Sequence, residues 1–322
     1  MRQTIFRLLL PFALVSFFSG CATSPEVQSP TTTIPQENSS STDKEAVNPE
    51  SMIVLGDVSE NPTRKIERFQ PLADYLAAQL EAEGITKGKV KVAPDIDTMI
   101  AWLKSGEVDL YFDSPFPAML MQKNAQAKPL LRRRKKGQAE YHTVFFVLKE
   151  SGITSLEDLK GKLLAIDEPE STTGFMLPIG FLLESEFKVE EKASLNAQPT
   201  EDTVGYIFSG DDENTVEWVI SKEIEAGAVD NRTFDQLDQS VRDAMLIIAE
   251  TEVVPRNLTM VAPDLDEALT TKIKEVLINM DETPEGQDVL QLFEKTAQFD
   301  ELPDESSLEK MDVFYDLVQS QN

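Results

Sequence analysis

The chain has 322 residues, a formal net charge of −27 and one cysteine. So acidic a chain repels nucleic acid, which excludes it as a partner. A lone cysteine excludes an intrachain disulfide, so the fold must rest on its core.

Arg2 and Arg7 make a basic start, Leu8 to Phe18 is apolar, and Ser19-Gly20-Cys21 is a run of small residues. Residues 1–20 therefore read as a secretory signal, too short to span a bilayer as a stable helix. Cys21 directly after Ser-Gly resembles a bacterial lipobox, with Phe18 where that pattern usually has Leu. The resemblance implies lipidation of Cys21 and attachment to a membrane through that anchor. The plainer alternative is an ordinary signal peptide with an incidental cysteine. Residues 21–50, rich in Ser, Thr, Pro and Glu, read as a flexible tether. The remainder is long enough for two lobes.

From Ser51 onward strands and helices alternate. Met52 to Leu55 is a strand, and Ile66, Phe69, Leu72, Leu76 and Leu80 recur at helical spacing, with Pro71 as a kink or a late start. Val90 to Ala93 is a strand, Ile96 to Lys104 a helix closed by Ser105-Gly106, Val108 to Phe112 a strand and Phe116 to Lys123 a helix. The alternation predicts parallel strands with right-handed crossovers. Arg132-Arg133-Arg134-Lys135-Lys136 before Gly137 reads as a solvated loop, with docking to a membrane protein as the alternative. Tyr141 to Leu148 is expected to cross between lobes, and Leu246 to Thr251 to cross back. Leu163 to Ile166, Gly205 to Phe208 and Glu225 to Val229 read as strands, Asp212 to Ile220 as a helix, and Thr283-Pro284-Glu285-Gly286 as a capped helix start.

The most informative segment is Asp167-Glu168-Pro169-Glu170-Ser171-Thr172-Thr173-Gly174, between a buried strand and a helix. A helix start has free N–H groups and partial positive charge, and here three hydroxyls join them, which suits a small oxyanion. Gly174 would let a ligand approach the backbone. The plainer alternative is that Ser171 or Thr172 only caps the helix.

Little points to catalysis. His142 is the only histidine, and no G-x-S-x-G elbow is present. Asp211, Asp212 and Glu213 could hold a hard cation, but helix capping is the simpler use. No cofactor is expected.

In chain order, Phe69-Gln70-Pro71-Leu72-Ala73-Asp74-Tyr75-Leu76, Gly106-Glu107-Val108-Asp109, Ser155-Leu156-Glu157-Asp158-Leu159-Lys160-Gly161-Lys162, Ser171-Thr172-Thr173-Gly174, Ala226-Gly227-Ala228-Val229-Asp230 and Thr283-Pro284-Glu285-Gly286 together resemble the phosphate/phosphonate-type substrate-binding lipoproteins of ABC importers. The resemblance implies an α/β fold of two lobes joined by two crossing strands and closing on a ligand, with lobe 1 at residues 51–143 plus 250–322 and lobe 2 at 144–249. It implies that Ser171, Thr172, Thr173 and Gly174 hold an anionic head and that Asp230 can face a ligand amine. It also brings Tyr111, Asp113, Ser114 and Asp212 to the cleft. Ser114 stands where the family usually has Gly, Ala118 where it has Tyr, and Asp211-Asp212-Glu213 where it often has His. The expected role is a monomeric, non-enzymatic binding component that delivers a small oxyanion to an ABC permease. A sensory lipoprotein presenting the liganded form to a membrane receptor is the alternative. Acids opposite the anion site favour a zwitterion over inorganic phosphate, because like charges in a dry cleft are costly.

Overall fold

The computed structural model describes residues 51–303 and 305–321. The expected signal, Cys21 and the tether lie outside the described residues. The chain begins with β1 (Ser51–Val58), α1 (Pro62–Gln79), β2 (Ile85–Ala93), α2 (Ile96–Lys104), β3 (Leu110–Asp113), α3 (Pro115–Ala125) and β4 (Lys128–Lys135). Asn61 caps α1, accepting from the Arg64 N–H at 3.3 Å, and Pro62 occupies its first turn. Pro71 therefore lies inside this helix and not at its start.

A short first crossing, β5 (Glu140–Tyr141), leads to the second lobe: β6 (Thr143–Leu148), β7 (Leu163–Ile166), α4 (Leu177–Glu184), β8 (Lys188–Glu191), β9 (Thr203–Phe208), α5 (Asp212–Ile220), β10 (Ala226–Asp230), α6 (Asn231–Gln236), α7 (Gln239–Ala244) and β11 (Met245–Glu250). The chain returns through β12 (Val254–Pro255) to β13 (Leu258–Val261), α8 (Glu267–Asn279), α9 (Pro284–Leu292), β14 (Thr296–Asp300) and α10 (Glu305–Gln319).

Among the described residues the strands form two six-stranded sheets and one two-stranded pair. The first sheet runs β14-β4-β13-β3-β1-β2 and the second β11-β6-β10-β7-β9-β8. Pairing is parallel around β1 and between β7, β8, β9 and β10, as the alternation predicts. It is antiparallel where a chain segment enters a sheet from the other lobe, at β13 and at β6. The right-handed crossover applies to strands linked within one sheet, so these entering strands are exempt from it.

The crossings differ from expectation. Among the described residues, the two-stranded pair at the junction is Glu140–Tyr141 with Val254–Pro255, Tyr141 standing opposite Val254. Thr143–Leu148 lies inside the second sheet, flanked by β10 and β11, and Met245–Glu250 is that sheet's edge. Their apolar runs mark strands buried in the sheet, which periodicity alone does not separate from a crossing.

The basic run is corrected as well. Lys128–Lys135 is a strand and not a solvated loop. Its period of two turns Arg132 and Arg134 onto Asp300, at 2.8 and 2.7 Å, and turns Arg133 inward, where it is fully buried. The Arg133 guanidinium stacks 3.9 Å from the Phe293 ring centre.

Phe293 also meets Phe69 at 4.7 Å and Phe112 at 5.1 Å, edge to face, and so ties α1 and β3 to the end of α9. A second set of rings joins the lobes: Phe116 of α3 lies 5.9 Å from both Phe175 and Tyr315. Helix α10 packs on α4 as well as α3. At Gly180 an added Cβ would stand 2.8 Å from the Phe314 side chain, so this close helix contact requires glycine. Phe293→Ala should lower stability by about 3–5 kcal/mol, read as a drop in the urea unfolding midpoint with an unchanged slope. A loss under about 1 kcal/mol would show that the ring cluster does not carry the first lobe.

Candidate functional site

After β7 the chain turns at Asp167 and enters a π turn, Thr172–Met176, that runs directly into α4. Ser171 caps this turn, its hydroxyl accepting from the Gly174 N–H at 3.0 Å. Gly174 is explained by packing: a Cβ there would meet Asp167 Cβ at 2.2 Å, so the space beside it is filled by the protein. The N–H groups of Thr172 and Thr173 stand at the first turn, where no intrahelical acceptor exists. Among the described residues they also lack an acceptor outside it. Both residues are buried, at 2% and 6% exposure.

This turn is held at the lobe junction. The Phe116 N–H, at the start of α3 in the first lobe, donates to Thr172 Oγ1 at 2.9 Å. The Tyr141 hydroxyl is within hydrogen-bonding reach of the Thr172 side chain, and Thr143 Oγ1 donates to the Thr173 carbonyl at 2.7 Å. Three elements thus fix the two N–H groups in place.

On the first-lobe side, Asp113 ends β3 and accepts from the Tyr111 hydroxyl and the Ser114 N–H, each at 2.6 Å, and from Ser114 Oγ at 3.3 Å. Burial and the neighbouring Asp113 push the Tyr111 phenol well above its ordinary value, so it stays a neutral donor. Ser114 is the N-cap position of α3 but makes no side-chain cap bond.

On the second-lobe side, Asp230 is buried at the end of β10 and caps α6. It accepts from the Thr233 N–H at 2.9 Å and faces Arg232 at 3.4 Å. Asp212 accepts from Thr233 Oγ1 at 2.9 Å. Burial first, then repulsion from Asp230, pushes the Asp212 carboxyl up to about 7. Asp230 and Asp212 therefore lie close together around Thr233, and protein donors already serve Asp230. Asp211 caps α5, accepting from the Asn214 N–H at 2.6 Å. Among the described residues no cluster of His, Cys, Asp and Glu has the form of a metal site. His142 contacts Glu250 at 3.3 Å.

Sequence reasoning missed a buried charge network beside this junction. Glu294 takes Lys135 at 2.9 Å, Arg133 at 3.2 Å and Lys65 at 3.2 Å. Burial would raise its pKa, but the three cations outweigh that and hold the carboxyl well below the usual range. Lys65 also meets Asp57 at 2.9 Å. Burial nevertheless lifts Asp57 to about 7, with Asp113 adding to the rise. The alternation of Leu131, Arg133 and Lys135 on one side of a strand was the available signal.

The fold is the two-lobed type II periplasmic binding protein fold. The family described as "ABC transporter, phosphonate, periplasmic substrate-binding protein" matches residues 58–306, and the chain belongs to it. Members are non-enzymatic transport components, which places the protein outside the cytoplasm. Among solved structures, XAC2383 from Xanthomonas citri bound to ATP is 30% identical, with a TM-score of 0.75, covering 84% of this chain and 98% of that one. PhnD1 from Prochlorococcus marinus in complex with methylphosphonate is 17% identical, with a TM-score of 0.57, covering 85% and 99%. A binding protein component of an ABC phosphonate transporter from Pseudomonas aeruginosa is 18% identical, with a TM-score of 0.54, covering 85% and 90%. The last two share the fold.

The raised Asp212 carboxyl sets a pH dependence. A group whose folded pKa lies above its unfolded value stabilises below the unfolded value and loses that contribution as pH rises through the folded one. Here the window runs from 3.8, the ordinary value, up to about 7. Asp212→Asn mimics the protonated form at every pH. Its melting temperature relative to wild type should therefore rise between acid and mildly alkaline buffer, by roughly 2–4 °C for each kcal/mol that ionisation of Asp212 costs the fold. A difference that stays flat with pH would show that Asp212 is not buried against Asp230 as described.

Proposed function

We propose that the protein is the extracytoplasmic solute-binding component of an ABC importer, which captures a small phosphonyl or phosphoryl oxyanion between its lobes and delivers it to a membrane permease. The observation that carries this reading is the pair of buried N–H groups at Thr172 and Thr173, aligned at the start of a helix and pinned to the opposite lobe through Phe116. Hydrogen bonds from such donors to a charged group contribute about 1.5–3 kcal/mol each. A few of them support micromolar binding, about −8 kcal/mol, after ordering and desolvation costs. Ser171 and Gly174 shape the turn that presents the donors. Tyr111, Asp113 and Ser114 form the facing rim, and Asp230 with Asp212 the acidic wall. The family match and the two ligands carried by the relatives, ATP and methylphosphonate, share a tetrahedral phosphorus oxyanion.

The acidic wall would also suit an amine on the ligand, as in an aminoalkylphosphonate. Calorimetric titration of the mature protein with methylphosphonate, phosphate and 2-aminoethylphosphonate tests both points. Binding of at least one is expected, with a loss of about tenfold or more in Thr172→Val, corresponding to 1.4 kcal/mol or more. No binding of any of the three, with the protein folded, would remove the phosphorus-oxyanion reading. Equal affinity with and without the amine would remove the amine.

Attachment through a lipid on Cys21 belongs to the same proposal. Fractionation of cells carrying Cys21→Ser should move the protein from the membrane to the soluble or unprocessed pool. A variant that is cleaved yet still sediments with membranes would rule the anchor out.

A further inference from the structure

Lys136, in the turn that follows β4, has a left-handed backbone (φ 55°), and its N–H is tied to the Lys295 carbonyl at 3.0 Å. Arg256 follows the second crossing, with its N–H on the Ala139 carbonyl at 2.8 Å and its guanidinium 4.5 Å over the Tyr141 ring. Arg232 lies in the first turn of α6, next to Asn231, which exchanges hydrogen bonds with the His142 backbone at 3.0 and 3.3 Å. The turn ahead of the first crossing, the segment after the second crossing and the second lobe thus each bring one cation to the junction, where the Tyr141 hydroxyl reaches Thr172.

These cations are poorly matched by the protein. Among the described residues neither Lys136 nor Arg256 makes an ion pair with a carboxylate, and Arg232 has only Asp230 at 3.4 Å. Arg232 Nε is buried without a hydrogen-bond partner. Glu294 and Asp230 are within electrostatic range of Lys136, but the Glu294 oxygens already serve Lys135, Arg133 and Lys65, and Asp230 is in contact with Arg232 and the Thr233 N–H. Partial loss of solvation, then repulsion from Arg232 and Arg256, pushes the amine of the exposed Lys136 side chain below its ordinary value. In a chain of net charge −27, Lys136 within electrostatic range of both Arg232 and Arg256, with one carboxylate in contact, makes a site for added negative charge.

Resting on the phosphorus-oxyanion reading above, we propose that Lys136, Arg232 and Arg256 form a second anion subsite and that the ligand carries a chain of two or more phosphoryl groups. One phosphoryl group occupies the Thr172–Thr173 donors. The next reaches the three cations, supplies an acceptor to Arg232 Nε and relieves their mutual repulsion. A lone alkylphosphonate, with a single tetrahedral group, satisfies only the first of these places.

Titration of the mature protein at fixed ionic strength with methylphosphonate, inorganic pyrophosphate and ATP tests the assignment. Pyrophosphate or ATP should bind about tenfold or more tightly than methylphosphonate, as expected for added charge-assisted hydrogen bonds. Lys136→Gln and Arg232→Gln should each remove about tenfold of that affinity and change methylphosphonate binding by less than about twofold. Equal affinities for ATP and pyrophosphate identify the phosphate chain alone as the recognised part, and tighter ATP binding identifies a nucleotide. Methylphosphonate binding as tightly as pyrophosphate and ATP, or both variants weakening all ligands alike, would overturn the second subsite while leaving the first intact. If none of the three binds, the underlying reading fails instead. Lys136 is exposed, so its variant keeps the test valid should Arg232→Gln melt early.

Discussion

The buried carboxylate of Glu294 is the interaction on which the first lobe and the junction depend. It lies just past α9 and answers Arg133 and Lys135 from β4 and Lys65 from α1. Arg133 is fully buried, and a guanidinium taken from water without an answering charge costs several kcal/mol. Hydrogen bonds from Arg133 to Thr296 Oγ1 at 2.9 Å and to the Phe293 carbonyl at 3.3 Å complete its coordination. The same lattice fixes the end of β4, and with it the turn from which the first crossing departs. The position of Tyr141 under Thr172 is in this sense a consequence of a charge pairing in the other lobe.

The junction combines a dry side and a charged side. Phe116, Phe175 and Tyr315 pack between α3, the π turn and α10, which excludes water around the Phe116 to Thr172 hydrogen bond. In such surroundings a donor aimed at an anion is worth more than at the surface, because the competing solvent is absent. Acids and bases both lie near the junction: Asp113 at the end of β3, Asp230 and Asp212 in the second lobe, Lys136 in the turn after β4 and Arg256 after β12. The chain's overall negative charge acts over a Debye length of about 8 Å at physiological salt. Under the proposed function, recognition of an anion here would depend on these local groups and not on the field of the whole molecule.

Much of the scaffold was legible in the sequence because its causes are local. The caps Ser171, Asp211 and Thr283 each bond an N–H three residues ahead, and the helices begin where those residues predict. Continuous apolar runs marked β1, β7 and β10 as buried strands, and the ordered set of short motifs around them resembled the family to which the chain belongs. The strand, capped turn and helix around Ser171 were legible for the same reason, since a strand followed by hydroxyl residues and a helix start is a local pattern.

What only the tertiary structure decided involves partners far apart in the chain. Arg133 and Glu294 are separated by 161 positions, so a run of five basic residues read as a solvated loop until the carboxylate and the Phe293 ring beneath it were in place. Gly174 read as an opening for a ligand, yet the space beside it is taken by Asp167. The crossings moved to Glu140–Tyr141 and Val254–Pro255 because strand pairing, not apolar content, sets which residues join a sheet. Periodicity reports which side of an element is buried, and it holds no information on which distant charge, ring or strand does the burying.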